Sequence, residues 1–126
     1  KRQALKDLIS YEEGSIANVD LVHADNMKFV LMAFDAGTSL PPHRAPGNAI
    51  LTALEGKAII DYESQDYELN AGESFRFDKN GLHSVTPQGK FKMSLLLGKA
   101  AWNRTVQPFS LKVLFSALKC LNKIKQ

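Results

Sequence analysis

Short apolar runs alternate with turn residues along most of the chain. From Gly14 onward, segments rich in Val, Ile, Phe and Leu recur about every ten positions, a spacing typical of antiparallel sandwiches and barrels. Turn-forming pairs such as Glu55-Gly56 and Asn80-Gly81 separate these segments. The pattern predicts an all-β fold over residues 15–98 with eight strands, at 15–23, 28–34, 49–54, 57–62, 66–69, 74–77, 83–86 and 91–97.

The two ends of the chain have helical rather than alternating spacing. In residues 1–14 the apolar side chains of Leu5, Leu8 and Ile9 predict a short helix or arm lying on the barrel. In residues 99–126, Ser110 is a candidate N-cap for an amphipathic helix with one apolar and one basic face. We expect that helix to cover the barrel or a neighbouring subunit.

A basic amphipathic helix also allows a second interpretation. Residues 110–126 would then make a peripheral contact with an anionic membrane surface or an acidic partner. Residues 99–126 carry 6 of the 16 Lys and Arg and none of the 13 Asp and Glu, so residues 1–98 have a net charge of 10 − 13 = −3. A nucleic-acid-binding face needs basic residues spread over the folded body, so nucleic acid is not an expected partner.

The size and cysteine content fit one small domain. A chain of 126 residues buries a single core. Cys120 is the one cysteine, which excludes an intrachain disulfide and favours a cytoplasmic location. No apolar stretch approaches the roughly 20 residues that a membrane-spanning helix needs.

Two segments carry a resemblance to the cupin superfamily. Gly37, His43 and Gly56 have the register of the first cupin motif, a glycine followed by His-x-His, a glutamate and a second glycine. Gly72 and His83 have the eleven-residue spacing of the second motif. The resemblance implies a double-stranded β-helix, or jelly roll, whose two motifs bring metal-binding histidines together inside one barrel. It also implies a homodimer.

The departures from the motifs affect the metal site that the resemblance implies. Ala45 and Ala49 stand where the family has its second histidine and its glutamate. His43 and His83 remain as candidate metal ligands, with His23 as a candidate third, but two imidazoles supply neither a catalytic zinc site nor a non-haem iron triad. We therefore expect either no cofactor or a weakly bound divalent transition metal.

The two alanines also predict a pocket for a small organic molecule. If Ala45 and Ala49 face the barrel interior, they leave space beside His43 and His83. Further wall candidates are the apolar residues Met27, Phe29, Met32, Phe75, Phe77 and Met93. The leading hypothesis is a non-catalytic, small-molecule-binding or sensing cupin.

Two alternatives remain open at this point. One is a metal-dependent enzyme of the dioxygenase, isomerase or epimerase type implied by the resemblance, in which His43 and His83 bind the metal or act as an acid/base pair. The other is an assembly role in which the barrel serves mainly for dimerisation. Asp35 and Asp78 are candidates to complete a ligand set, but both lie beside turns and are expected to cap or solvate them. Arg76 enters the pocket only if the register of its strand is reversed.

Overall fold

The computed structural model describes residues 1–98. The predicted helix in residues 99–126, its Ser110 cap and its membrane contact lie outside the described residues. Over residues 1–98, none of the helical structure has the length and apolar character required to cross a membrane. The nine strands of this region are β1 (Ile16–His23), β2 (Met27–Phe34), β3 (Leu40–Arg44), β4 (Ala49–Glu55), β5 (Lys57–Tyr62), β6 (Gln65–Asn70), β7 (Ser74–Phe77), β8 (Leu82–Pro87) and β9 (Phe91–Gly98).

The strands form two antiparallel sheets. One has five strands in the order β1-β2-β9-β4-β7, and the other has four in the order β3-β8-β5-β6. The all-β prediction is confirmed, and each of the eight predicted strands is present. The ninth strand, β3, was missed because it contains Pro41 and Pro42, which cannot donate to a ladder and are accepted at a sheet edge.

The core lies between the two sheets and follows the two-residue period of the strands. In β4, Ala49, Leu51 and Ala53 are buried, while Ile50 and Thr52 alternate with them. The same alternation in β5, β7, β8 and β9 brings together Ala58, Ile60, Phe77, Val85, Phe91, Met93 and Leu97. Burial of these side chains is the main favourable contribution to folding.

The N-terminal residues cover the outer face of the five-stranded sheet. Where a short helix or arm was predicted, Leu5–Leu8 forms one 3-10 turn and not a longer helix, and Ile9 after it is extended and buried. The Tyr11 hydroxyl donates to Glu55 Oε2 at 2.6 Å, and burial together with this carboxylate raises the pKa of Tyr11. These contacts anchor the arm over a second, smaller apolar cluster that includes Leu31 and Ala33.

The turn before β8 positions the second motif. Asn80 adopts a left-handed backbone with φ 71°, a conformation that Asn accepts more readily than most side chains do. Its N–H donates to the Ala45 carbonyl at 2.7 Å, and the Ala45 N–H donates to the Gly81 carbonyl at 3.1 Å. These two bonds join the first motif to the second next to His83.

Candidate functional site

His43 and His83 are direct neighbours across two paired strands. His43 is the fourth residue of β3, His83 is the second of β8, and the two are Cα partners in the antiparallel register. Their ring centroids lie 4.2 Å apart with an interplanar angle of 59°. The structure thus brings together the two histidines that the motifs single out.

Each imidazole is held by its own backbone. His43 Nδ1 lies 2.9 Å from the Pro41 carbonyl oxygen, and His83 Nδ1 lies 3.1 Å from the Gly81 carbonyl oxygen. A carbonyl oxygen only accepts, so both Nδ1 atoms carry the hydrogen. In the neutral rings Nε2 is then the unprotonated nitrogen, and within residues 1–98 it has no hydrogen-bond partner in either ring.

His83 is buried and neutral. Its side chain is 7% exposed, and its ring stacks on Phe77 with centroids 4.0 Å apart and an interplanar angle of 19°. Burial lowers the pKa of His83 to about 4, the charge of nearby His43 acts in the same direction, and the hydrogen bond to Gly81 opposes them. At neutral pH the ring therefore presents a lone pair and no charge.

A cavity of about 270 Å³ opens beside the two rings. Ala45 and Ala49 both line it and are 2% and 1% exposed, so their small side chains border the space that the motif comparison predicted. Ala49 reaches this position because β4 lies between β7 and β9, where Ala49 pairs with Phe77 on one side and Leu97 on the other. Within residues 1–98, the remaining lining residues are Arg44, Pro46, Phe77, Leu95 and Leu97.

Of the predicted apolar wall residues, Phe77 lines this cavity and the others do not. Met32 is buried in the core opposite Met93, four positions before Leu97 along β9 and so away from the histidines. Phe75 packs its ring against Tyr62 and Tyr67, at centroid distances of 5.4 and 5.0 Å. Met27 and Phe29 lie on β2 and pack against the core without reaching the cavity.

The sequence analysis missed Arg44, Pro46, Leu95 and Leu97 as wall residues. Leu95 and Leu97 belong to the alternating inner face of β9, but their position beside Ala49 depends on a strand pairing between residues distant in sequence. Arg44 Nη1 donates to the Asn80 carbonyl at 2.9 Å. This hydrogen bond holds the guanidinium next to the turn that precedes β8.

The residues present do not make a complete metal site. A catalytic zinc ion takes three protein ligands, and the non-haem iron triad takes two histidines and a carboxylate. Within residues 1–98, no three His, Cys, Asp or Glu side chains come together in a group that would hold a metal ion. His23 does not join the pair: its exposed ring lies 3.3 Å from Asp20 Oδ2 on β1.

The other polar candidates also lie apart from the histidines. Arg76 is exposed on the outer side of β7, since Phe75 and Phe77 take the inner positions. Asp35 accepts a hydrogen bond from the Gly14 N–H at 2.7 Å, and such backbone donors lower the pKa of Asp35. Asp78 is exposed at the turn before β8, where the Gly81 N–H donates to its carbonyl.

A family model matches most of the β-sandwich. The model of the family described as "Cupin domain" matches residues 30–97, more than half of the 126-residue chain. The chain belongs to the cupin family. A search of curated proteins found no match for this cupin.

Solved structures of other cupins share the fold. A cupin superfamily protein from Desulfitobacterium hafniense is 23% identical, with a TM-score of 0.73 over 76% of this chain and 88% of that one. A Cupin 2 conserved barrel domain protein from Leptotrichia buccalis is 35% identical, with a TM-score of 0.71 over 75% of this chain and 46% of that one. A predicted oxalate decarboxylase from Thermotoga maritima is 18% identical, with a TM-score of 0.59 over 64% of this chain and 77% of that one.

Proposed function

We propose that this cupin binds a small organic molecule in the cavity beside His43 and His83, as a binding or sensing domain rather than as a catalyst. The observation that carries the proposal is the pairing of two imidazoles with a mainly apolar cavity of about 270 Å³. Ligand sites commonly combine apolar walls with a few convergent polar groups. Apolar cavities of about 150 Å³ hold benzene, so a single-ring molecule has room here.

The two alanines support binding rather than metal catalysis. With a histidine at position 45 and a glutamate at position 49, four metal-ligating side chains would converge on the cavity. With alanines there, only two imidazoles remain as metal ligands and the cavity walls become apolar. The competing hypothesis is a metal-dependent enzyme, and one feature favours it: a carbonyl that orients each Nδ1–H is the usual outer-shell arrangement of metal-binding histidines.

Two measurements on one preparation separate these hypotheses. Protein purified without chelator is analysed for transition metals by elemental mass spectrometry, and its binding of phenol is followed by two-dimensional NMR. We expect less than a stoichiometric amount of metal, together with phenol-induced shifts of signals from Phe77 and Leu97. One equivalent of tightly bound transition metal would overturn the proposal, as would the absence of phenol-induced shifts at millimolar concentration.

The cavity itself is tested by filling it. Ala49→Leu adds three carbon atoms to a wall residue, so it should abolish the phenol-induced shifts. Ile50→Val is the matched control, because it changes volume at the next position of β4 on the opposite face of the strand. Equal phenol binding by both variants would place the binding site elsewhere, and Ala45→Leu provides a second test if Ala49→Leu fails to fold.

A further inference from the structure

We infer that the ligand of this cavity carries at least one hydroxyl hydrogen, which it donates to the histidine pair. This inference rests on the proposed function and specifies the chemical class of the ligand: a small, uncharged, largely apolar molecule with a hydroxyl group. The preference for a hydroxyl group follows from the hydrogen-bonding atoms that line the cavity, and three observations support it.

The first observation is the tautomer of both rings. Because the carbonyls of Pro41 and Gly81 occupy the Nδ1–H of His43 and His83, each ring in its neutral form keeps Nε2 as a hydrogen-bond acceptor. Nε2 belongs to the side of the imidazole remote from the main chain. Buried His83 therefore offers an acceptor and lacks a spare donor, so a ligand group that only accepts hydrogen bonds would leave its Nε2 unsatisfied.

The second observation is the lining of the rest of the cavity. Apart from the two histidines and Arg44, its lining consists of Ala45, Pro46, Ala49, Phe77, Leu95 and Leu97. None of these side chains donates or accepts a hydrogen bond. The Arg44 side chain is 62% exposed and its Nη1 donates to the Asn80 carbonyl. Within residues 1–98 the histidine pair is therefore the polar contact left for a ligand group in the interior, and the body of the ligand meets hydrocarbon.

The third observation is that none of the residues between 1 and 98 that line the cavity carries a carboxylate. An ammonium group would also donate to Nε2, but it would be buried beside His83 without a counter-charge, which is costly. A neutral hydroxyl group satisfies the same acceptor without that cost. The preference is thus for an alcohol or phenol over an amine that is protonated at neutral pH.

The test compares probes that differ in one hydrogen. Phenol, anisole and benzylamine are titrated at pH 7.5 into metal-free protein, and their dissociation constants are measured by NMR. Anisole keeps the ring and the oxygen of phenol and replaces its hydroxyl hydrogen with a methyl group. Phenol can donate one buried hydrogen bond that anisole cannot, so we expect phenol to bind roughly tenfold more tightly than anisole. We also expect it to bind more tightly than benzylamine.

A variant and its control assign that preference to the histidine pair. His43→Phe combined with His83→Phe keeps an aromatic ring at both positions and removes both Nε2 atoms, so the affinities for phenol and anisole should become equal. His23→Gln, on the exposed surface of β1, should leave the phenol preference unchanged. If phenol retains its preference in the double variant, the hydroxyl group is recognised by something other than the histidine pair and the inference is wrong.

The outcomes distinguish this inference from the proposed function. Equal or tighter binding of anisole or benzylamine by the unmodified protein would overturn the hydroxyl preference while leaving the cavity as a binding site. Failure of all three probes to bind would overturn the proposed function and the inference with it. Nitrogen-15 NMR gives an independent check, because finding the hydrogen on Nε2 of His83 would contradict the inference without any ligand.

Discussion

The buried His83 predicts that this cupin loses stability in mild acid. Folding lowers the pKa of His83 from 6.5 to about 4, because burial disfavours the imidazolium. Between these two values the unfolded chain binds a proton that the folded chain does not, so stability falls as the pH drops through this window. Above pH 6.5 His83 causes no loss of stability. By pH 4 it lowers the free energy of unfolding by about 3 kcal/mol, because each pKa unit corresponds to roughly 1.4 kcal/mol.

Urea unfolding followed by far-ultraviolet circular dichroism between pH 4 and pH 8 measures this effect. Carboxylates also titrate near pH 4, so the informative quantity is the difference between the protein and His83→Phe, which has no group that titrates at this position. The free energy of unfolding of His83→Phe should decrease less steeply below pH 6.5 than that of the unmodified protein. Parallel curves for His83→Phe and the unmodified protein would refute the reasoning.

Three further predictions concern the motif positions and the arm. Ala45→His combined with Ala49→Glu should restore a four-ligand set and create a divalent-metal site, measured by zinc titration; no gain in zinc affinity would mean that these side chains do not converge. Gly56→Ala should reduce the free energy of unfolding by roughly 3 kcal/mol or more, because φ is +81° and the added Cβ would collide with the backbone of the chain entering β9. A loss below about 1 kcal/mol would contradict this close approach of the two backbone segments. Tyr11→Phe should cost about 1–2 kcal/mol in the same urea assay through the lost hydrogen bond to Glu55, and no loss would mean that this contact does not hold the arm.

Each of these variants has a matched control in the chain. Ala45→His alone adds one imidazole and should gain less zinc affinity than the double variant. Gly72→Ala has a φ of +92° with open space around the added Cβ, so it reports the backbone strain without the collision. Tyr67→Phe removes a hydroxyl from a partly exposed ring and should change the free energy of unfolding little.

Strand positions followed closely from the local pattern of the sequence. The predicted limits of two strands, 57–62 and 74–77, coincide with β5 and β7, because alternation and flanking turn residues act within a few positions. The missed strand β3 has the opposite character: Pro41 and Pro42 disfavour a strand locally, and its pairing with β8 keeps it at the sheet edge. Tertiary pairing overrode local preference there.

The site was predicted where it depends on the motifs and missed where it depends on remote pairing. The resemblance to the two cupin motifs implied that His43 and His83 would meet, and the structure places Ala45 and Ala49 at the cavity beside them. Nothing in the apolar pattern distinguishes Met32, which packs in the core, from Leu97, which reaches the cavity. Whether such a residue lies in the core or at the cavity depends on which strand pairs with β4. The local sequence pattern does not determine that order of strands.

The most direct test of the account is the electron density beside the two imidazoles in a crystal grown without added metal and soaked with phenol. The account predicts a planar ring in the cavity, with its hydroxyl oxygen within hydrogen-bonding distance of Nε2 of His83 or His43. A single anomalous scatterer bound by both Nε2 atoms would contradict it. So would phenol seated with its hydroxyl group turned away from both rings.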